Sequence, residues 1–133
     1  MIDILIIDDD MPTRALLVDV LSEGGYRVAD ASNGVEGLAL TKTLQPRLIL
    51  TDVHMPDMDG VSFARQLRSR TDLAQPPIIF MTASEGVFPG AEGTTLCLGK
   101  PFDLDGLLAH MQALLPAPAT AMFPRLARAQ PGM

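Results

Sequence analysis

Apolar residues along this chain form two alternating kinds of segment. Short unbroken runs at residues 4–7 (ILII), 27–29 (RVA), 48–50 (LIL), 78–80 (IIF) and 95–98 (TLCL) are bounded by polar or turn residues. Runs without polar alternation predict five strands, mostly buried on both faces. Between them, apolar residues recur at helical spacing: Ala15, Leu16, Val20 and Leu21; Val35, Leu38 and Ala39; Val61, Ala64 and Leu67; then Leu104, Leu107, Leu108, Met111 and Leu115. The resulting order, β-α-β-α-β-α-β-(α)-β-α, implies an α/β fold: a doubly wound five-stranded parallel sheet covered by helices on both faces.

Turn and cap residues set the boundaries. Pro12 suits a first helical turn, Gly24-Gly25 ends the first helix, and Asp103 suits the cap of the last. The segment ASEGVFPGAEG at 83–93 puts three glycines and a proline where a fourth crossover helix belongs. A short or irregular helix is expected there. After Leu115, a Pro/Ala-rich stretch at 116–133 loses apolar periodicity and reads as a tail or linker, so 1–115 is the expected folded domain. Met122, Phe123 and Leu126 beside Arg125 and Arg128 are the alternative, a small docking segment.

Composition narrows the function. The chain is 47% hydrophobic but only 5% aromatic, with no tryptophan, so an aliphatic core suited to helices on a sheet is expected. Net charge is −6, and because Arg125 and Arg128 stand in a tail without acids, residues 1–115 carry 8 basic and 16 acidic side chains, or −8. Such a surface argues against direct binding of nucleic acid or anionic membrane. A lone cysteine, Cys97, makes no internal disulfide, and no Cys/His cluster has zinc spacing. With no basic leader and no spanning apolar run, a cytoplasmic location is expected. No G-x-G-x-x-G or Walker-type glycine loop follows the first strand.

Acids occupy that loop instead. Asp8, Asp9 and Asp10 follow the first strand and Asp52 follows the third. Single acids at these places would be ordinary strand ends and helix caps. In parallel sheets, however, ligands bind beyond the carboxyl ends of the strands, and a flavodoxin-like order 2-1-3-4-5 would put strands 1 and 3 side by side. Carboxylates about 4 Å apart repel by roughly 4 kcal/mol at an effective dielectric of 20. A hard divalent cation with oxygen ligands, Mg2+ with Mn2+ as a substitute, would relieve this. Thr82 and Lys100 end strands 4 and 5, supplying a hydroxyl and an ammonium suited to phosphoryl oxygens.

Four segments carry a family resemblance. ILIIDDDMPTRALL, LILTDVHMPDMDG, IIFMTAS and LGKPF occur in order across nearly all of residues 2–115. Together they resemble the receiver domains of two-component response regulators. The resemblance implies a phosphorylation-dependent switch in a two-component system or phosphorelay, with Asp52 as phosphoacceptor and a sensor histidine kinase or histidine phosphotransfer protein as donor. It implies a metal site of Asp8, Asp9, Asp52 and the backbone carbonyl of His54. Asp10 becomes a less essential third acid and the cap of the first helix. Thr82 and Lys100 would contact phosphoryl oxygens, Pro101 would follow a cis peptide, and Met55-Pro56 and Asp59-Gly60 would shape the loop into the third helix. His54 and Ser84 would flank the hydrolytic water. Weak self-catalysed transfer and dephosphorylation, rather than classical enzyme turnover, is implied, in a monomer or a phosphorylation-dependent homodimer.

The chain also departs from the family. Lys100 follows Thr82 by 18 positions, a shorter interval than usual. Cys97 replaces the usual aromatic switch residue, most simply as core filling, and Gly99 is small. The expected output face, between strand 5 and its flanking helices, is therefore atypical. Two rival readings stand beside this one. An aspartate-nucleophile phosphatase of the haloacid dehalogenase type would use Asp8 as nucleophile, but Pro12 stands where it needs Thr or Val. A receiver-like interaction module would act without phosphorylation.

Overall fold

The computed structural model describes residues 2–53, 55, 58–70, 76–82, 94–99 and 104–115, with Val61, Thr82, 94–99 and Leu104 described by backbone alone. The elements are β1 (Ile4–Ile7), α1 (Met11–Glu23), β2 (Val28–Ala31), α2 (Gly34–Leu44), β3 (Leu48–Asp52), α3 (Gly60–Arg68), β4 (Ile78–Thr82), β5 (Thr94–Gly99) and α4 (Leu104–Leu114). All strand pairs are parallel, in the order β2-β1-β3-β4-β5. This is the doubly wound sheet expected from the alternating pattern. The expected irregular helix at 83–93, the Asp103 cap and the 116–133 tail lie outside the described residues.

β1 and β3 are buried throughout, which explains their unbroken apolar runs. Successive side chains leave opposite faces of a strand and so feed two separate cores. Ile4, Ile6, Leu48 and Leu50 pack with Leu17 and Leu21 of α1 and Leu107 and Met111 of α4. Leu5, Ile7 and Ile49 pack on the other side with Phe63, Ala64 and Leu67 of α3. The edge strand β2 is buried fully only at Ala31.

Caps define the helix ends. Asp10 accepts a hydrogen bond from the Thr13 amide, Pro12 lies in the first turn, and Gly24 closes α1 before Gly25 turns at φ 97°. Asn33 and Glu36 cap α2 reciprocally: the Glu36 amide donates to Asn33 Oδ1 and the Ser32 amide to Glu36 Oε1. Asp59 accepts from the Ser62 amide at the start of α3.

Two helix faces differ from the apolar spacing. On α1, Ala15 and Leu16 face solvent, Leu16 being 49% exposed, while Leu17 and Leu21 are buried. On α2, Val35 is exposed and the buried residues are Gly34, Gly37 and Thr41. The reason is proximity: a Cβ on Gly37 would stand 2.5 Å from Ile7 Cδ1. Thr41 is tolerated inside because its hydroxyl donates to the Gly37 carbonyl at 2.7 Å. A hydrophobicity pattern does not register a close-packed face of glycine and threonine.

At the opposite end of the sheet from the strand tips, buried Asp3 gathers three strand entries. Its Oδ2 accepts from the Arg27 amide before β2, and its carbonyl accepts from the Arg47 and Leu48 amides at β3. Arg68, at the end of α3, donates to the Pro76 carbonyl ahead of β4, and burial lowers its pKa from the ordinary arginine value. Tyr26, buried in the turn before β2, donates its hydroxyl to the Leu115 carbonyl and so ties down the end of α4. Tyr26→Phe is expected to cost about 1 kcal/mol by leaving that buried carbonyl without this donor, read as a lower urea midpoint at unchanged slope.

Candidate functional site

The site is assembled by strand register. Ile7 of β1 pairs with Thr51 of β3, so Asp8 and Asp52, each one position further, reach neighbouring strand tips. Asp8 extends the pairing of β1, its amide donating to the Ala31 carbonyl at 3.1 Å. Its side chain is fully buried and accepts from the Asp10 amide at 2.9 Å. Asp52 is the last residue of β3 and only 8% exposed. Asp9 is exposed beside them, and one carboxylate oxygen from each of Asp8, Asp9 and Asp52 falls within 4.8 Å of the others.

Asp10 stands apart from this cluster. Its Oδ2 accepts from both the amide and the hydroxyl of Thr13, which commits it to the start of α1.

The loop after Asp52 is short and tightly returned. The Val53 amide donates to the Met81 carbonyl of β4, and the Gly60 amide donates back to the Val53 carbonyl at 2.8 Å. Gly60 has no room for a side chain, since a Cβ there would run into the Asp52 carbonyl oxygen. Glycine is thus demanded at the head of α3 by the approach of that helix to the acidic residue. Met55 is buried beneath the loop, and Met58 lies against Gly34 of α2.

Thr82 ends β4 one position beyond Met81, the partner of Asp52, and pairs with Gly99 of β5. Its backbone therefore reaches the same sheet edge. Lys100 follows Gly99 directly in sequence, but Lys100, Pro101, His54 and Ser84 lie outside the described residues. Cys97 sits within β5 opposite Phe80 of β4.

Two features make the cluster fit a hard divalent cation. The donor set is all carboxylate oxygen, the kind Mg2+ and Mn2+ prefer. It also has one open side, because Asp9 is exposed while Asp8 and Asp52 are held from within the sheet. Two ionised carboxylates as close as Asp8 and Asp52 repel by roughly 3 to 4 kcal/mol at an effective dielectric of 20.

Comparison with known proteins agrees with this arrangement. Residues 4–112 match the family model described as the response regulator receiver domain. The chain belongs to that family. Its receiver is 42% identical over 116 residues to response regulator MprA of Mycobacterium sp. (strain KMS), and 41% identical to response regulator MprA of Mycobacterium ulcerans. Each alignment takes in 84% of this chain, and 50% and 49% of the relatives, so the chain spans about half their length. Among solved structures, the chemotaxis protein CheY4 of Vibrio cholerae aligns with TM-score 0.77 at 30% identity, over 86% of this chain and 99% of that one. The response regulator TrrA of Thermotoga maritima, solved in complex with Mg2+-BeF, aligns with TM-score 0.78 at 29% identity, over 86% of this chain and all of that one. The receiver is thus a component of two-component signalling. No described helix is long and apolar enough to cross a membrane.

One residue at the receiver's site escaped sequence reasoning. Arg14, one turn into α1, donates from a terminal nitrogen to the Asp8 carbonyl at 2.9 Å and from Nε to Asp30 of β2 at 2.8 Å. A single arginine on a predicted helix carries no signal in sequence; only the fold brings it back over β1.

Two outcomes follow. In EDTA, Asp52→Asn should melt above the wild type because one member of the repelling pair becomes neutral; a lower melting temperature would contradict the shared-pocket geometry. Gly60→Ala should lose about 1 to 3 kcal/mol through overpacking against the Asp52 backbone, measured by chemical denaturation.

Proposed function

We propose that this receiver accepts a phosphoryl group on Asp52 and releases it by hydrolysis, acting as a timed switch. The convergence of the Asp8, Asp9 and Asp52 carboxylates within 4.8 Å at the carboxyl edge of the sheet carries this reading. The donor is a phosphohistidine on a sensor histidine kinase or a histidine phosphotransfer protein. An Asp52 carboxylate oxygen attacks phosphorus in line, the P–N bond breaks, and the imidazole leaves with the electron pair and takes up a proton. A water later attacks the acyl phosphate, breaking the O–P bond, releasing inorganic phosphate and restoring the carboxylate.

Asp8, Asp9, Asp52 and the backbone carbonyl of His54 would hold a divalent cation, Mg2+ or Mn2+. When bound, such an ion supplies positive charge for the phosphoryl oxygens. The chain's own part is positional. The Asp10 amide holds the Asp8 carboxylate, and the Gly60 turn holds the Asp52 backbone against the head of α3. Thr82 donates its hydroxyl to one phosphoryl oxygen and Lys100 pairs with another, while His54 and Ser84 influence access of the hydrolytic water. Cys97 and Pro101 belong to the output side of the switch. The folded unit is 1–115, with 116–133 as tail or linker, and the protein works in the cytoplasm without touching nucleic acid or membrane, as a monomer or a phosphorylation-dependent dimer.

The TrrA structure with Mg2+-BeF supports the chemistry by kinship, since that relative shares the fold at 29% identity. Incubation with acetyl phosphate and Mg2+ should add about 80 Da, the mass of one phosphoryl group, to the intact protein, transiently. The adduct should vanish in EDTA and in Asp52→Asn. An unmodified wild type would favour an interaction module that acts without phosphorylation, and an adduct on Asp8 would favour the phosphatase-type reading.

A further inference from the structure

We infer that Arg14 is a positioning residue for the metal site, holding the backbone of Asp8 in place from the far side of β1. This rests on the proposed role of the Asp8, Asp9 and Asp52 cluster.

Asp8 is restrained at three points. Its amide donates to Ala31 of β2, its carboxylate accepts from the Asp10 amide, and its carbonyl accepts from the Arg14 guanidinium. The first is sheet pairing with β2, and the second is local to the turn after β1. The third comes from a side chain within a helix, and it adds a tie between α1 and the site beyond the Asp10 cap. Arg14 is itself oriented by Asp30, whose Oδ2 lies 2.8 Å from its Nε, and its side chain is only 16% exposed. The guanidinium is a planar fork with donors at fixed angles, so Asp30 on one prong directs the other at Asp8. A lysine has one donor centre and does not make both bonds with that geometry.

Charge alone does not account for the arrangement. Arg14 is paired with Asp30, so as a unit the two add little net charge to the neighbouring acids. The acids therefore keep their attraction for a divalent cation, while the turn carrying them gains a rigid support. Supporting groups of this kind matter to metal affinity because the ligands must be aimed before the ion binds.

The test is a Mg2+ titration of the full chain, without phosphodonor, followed by backbone amide shifts. Arg14→Lys and Arg14→Gln should each weaken Mg2+ binding by about tenfold. Asp30→Asn should weaken it less, in the same direction. Tyr26→Phe, which lowers stability away from the site, should bind Mg2+ like the wild type. Wild-type affinity in Arg14→Lys with tighter binding in Arg14→Gln would show a role through charge and overturn the inference. Unchanged affinity in both, with lower melting temperatures, would show a merely structural role and overturn it equally. Should the Arg14 variants not fold, Asp30→Asn decides, and wild-type affinity there would sink the idea. A wild type that binds no Mg2+ would overturn the metal site as well, whereas failure of the variants alone leaves that site standing.

Discussion

Asp8 and Asp52 end two adjacent strands that are buried along their whole length, and parallel pairing leaves them no freedom to part. Every strand of the sheet runs the same way, so all the strand tips that follow apolar runs open onto one edge. Two carboxylates this close, if both were ionised, would repel by a sizeable fraction of a small domain's total stability. A cation among these oxygens would lessen that repulsion.

Around that edge the described contacts are close. The head of α3 approaches the Asp52 carbonyl so closely that only glycine fits at position 60. Arg14 braces the Asp8 backbone from α1, and Asp10 is occupied in capping that same helix. Helices on both faces of the sheet thus begin at the acidic edge and are anchored there by their first turns. Met58 carries the contact onward to Gly34 at the start of α2, so the loop after Asp52 touches a second helix as well as its own. At the other end of the sheet, Asp3 fixes the entries of β1, β2 and β3 together.

Membership of the receiver family places these features in a known class of signalling domains. Cys97 occupies a β5 position paired with Phe80, and the connection from β4 to β5 is short. Among the described residues, the acidic edge makes contacts with α1, α2 and α3. This chain matches about half of the length of the MprA relatives, and its own acidic cluster lies within the receiver match.

Strand number, order of elements and the acids themselves were legible in sequence. Buried parallel strands must be continuously apolar, and Asp8–Asp10 and Asp52 stand at their ends without interruption. Asp10 as a cap was also legible, because capping depends on neighbours three residues away. Which helix residues face inward was less so: Leu17 replaced Leu16, and Gly34, Gly37 and Thr41 replaced Val35, because inward faces are set by how closely a helix approaches the sheet. Arg14, Asp30 and Asp3 were invisible, since their partners are brought near only by chain crossovers. Sequence by itself determined the strands, their likeness to the receiver family and the chemistry available at the strand tips. Only the tertiary structure decided which acids share a pocket and what braces them, because strand register and helix approach are long-range properties of the folded chain.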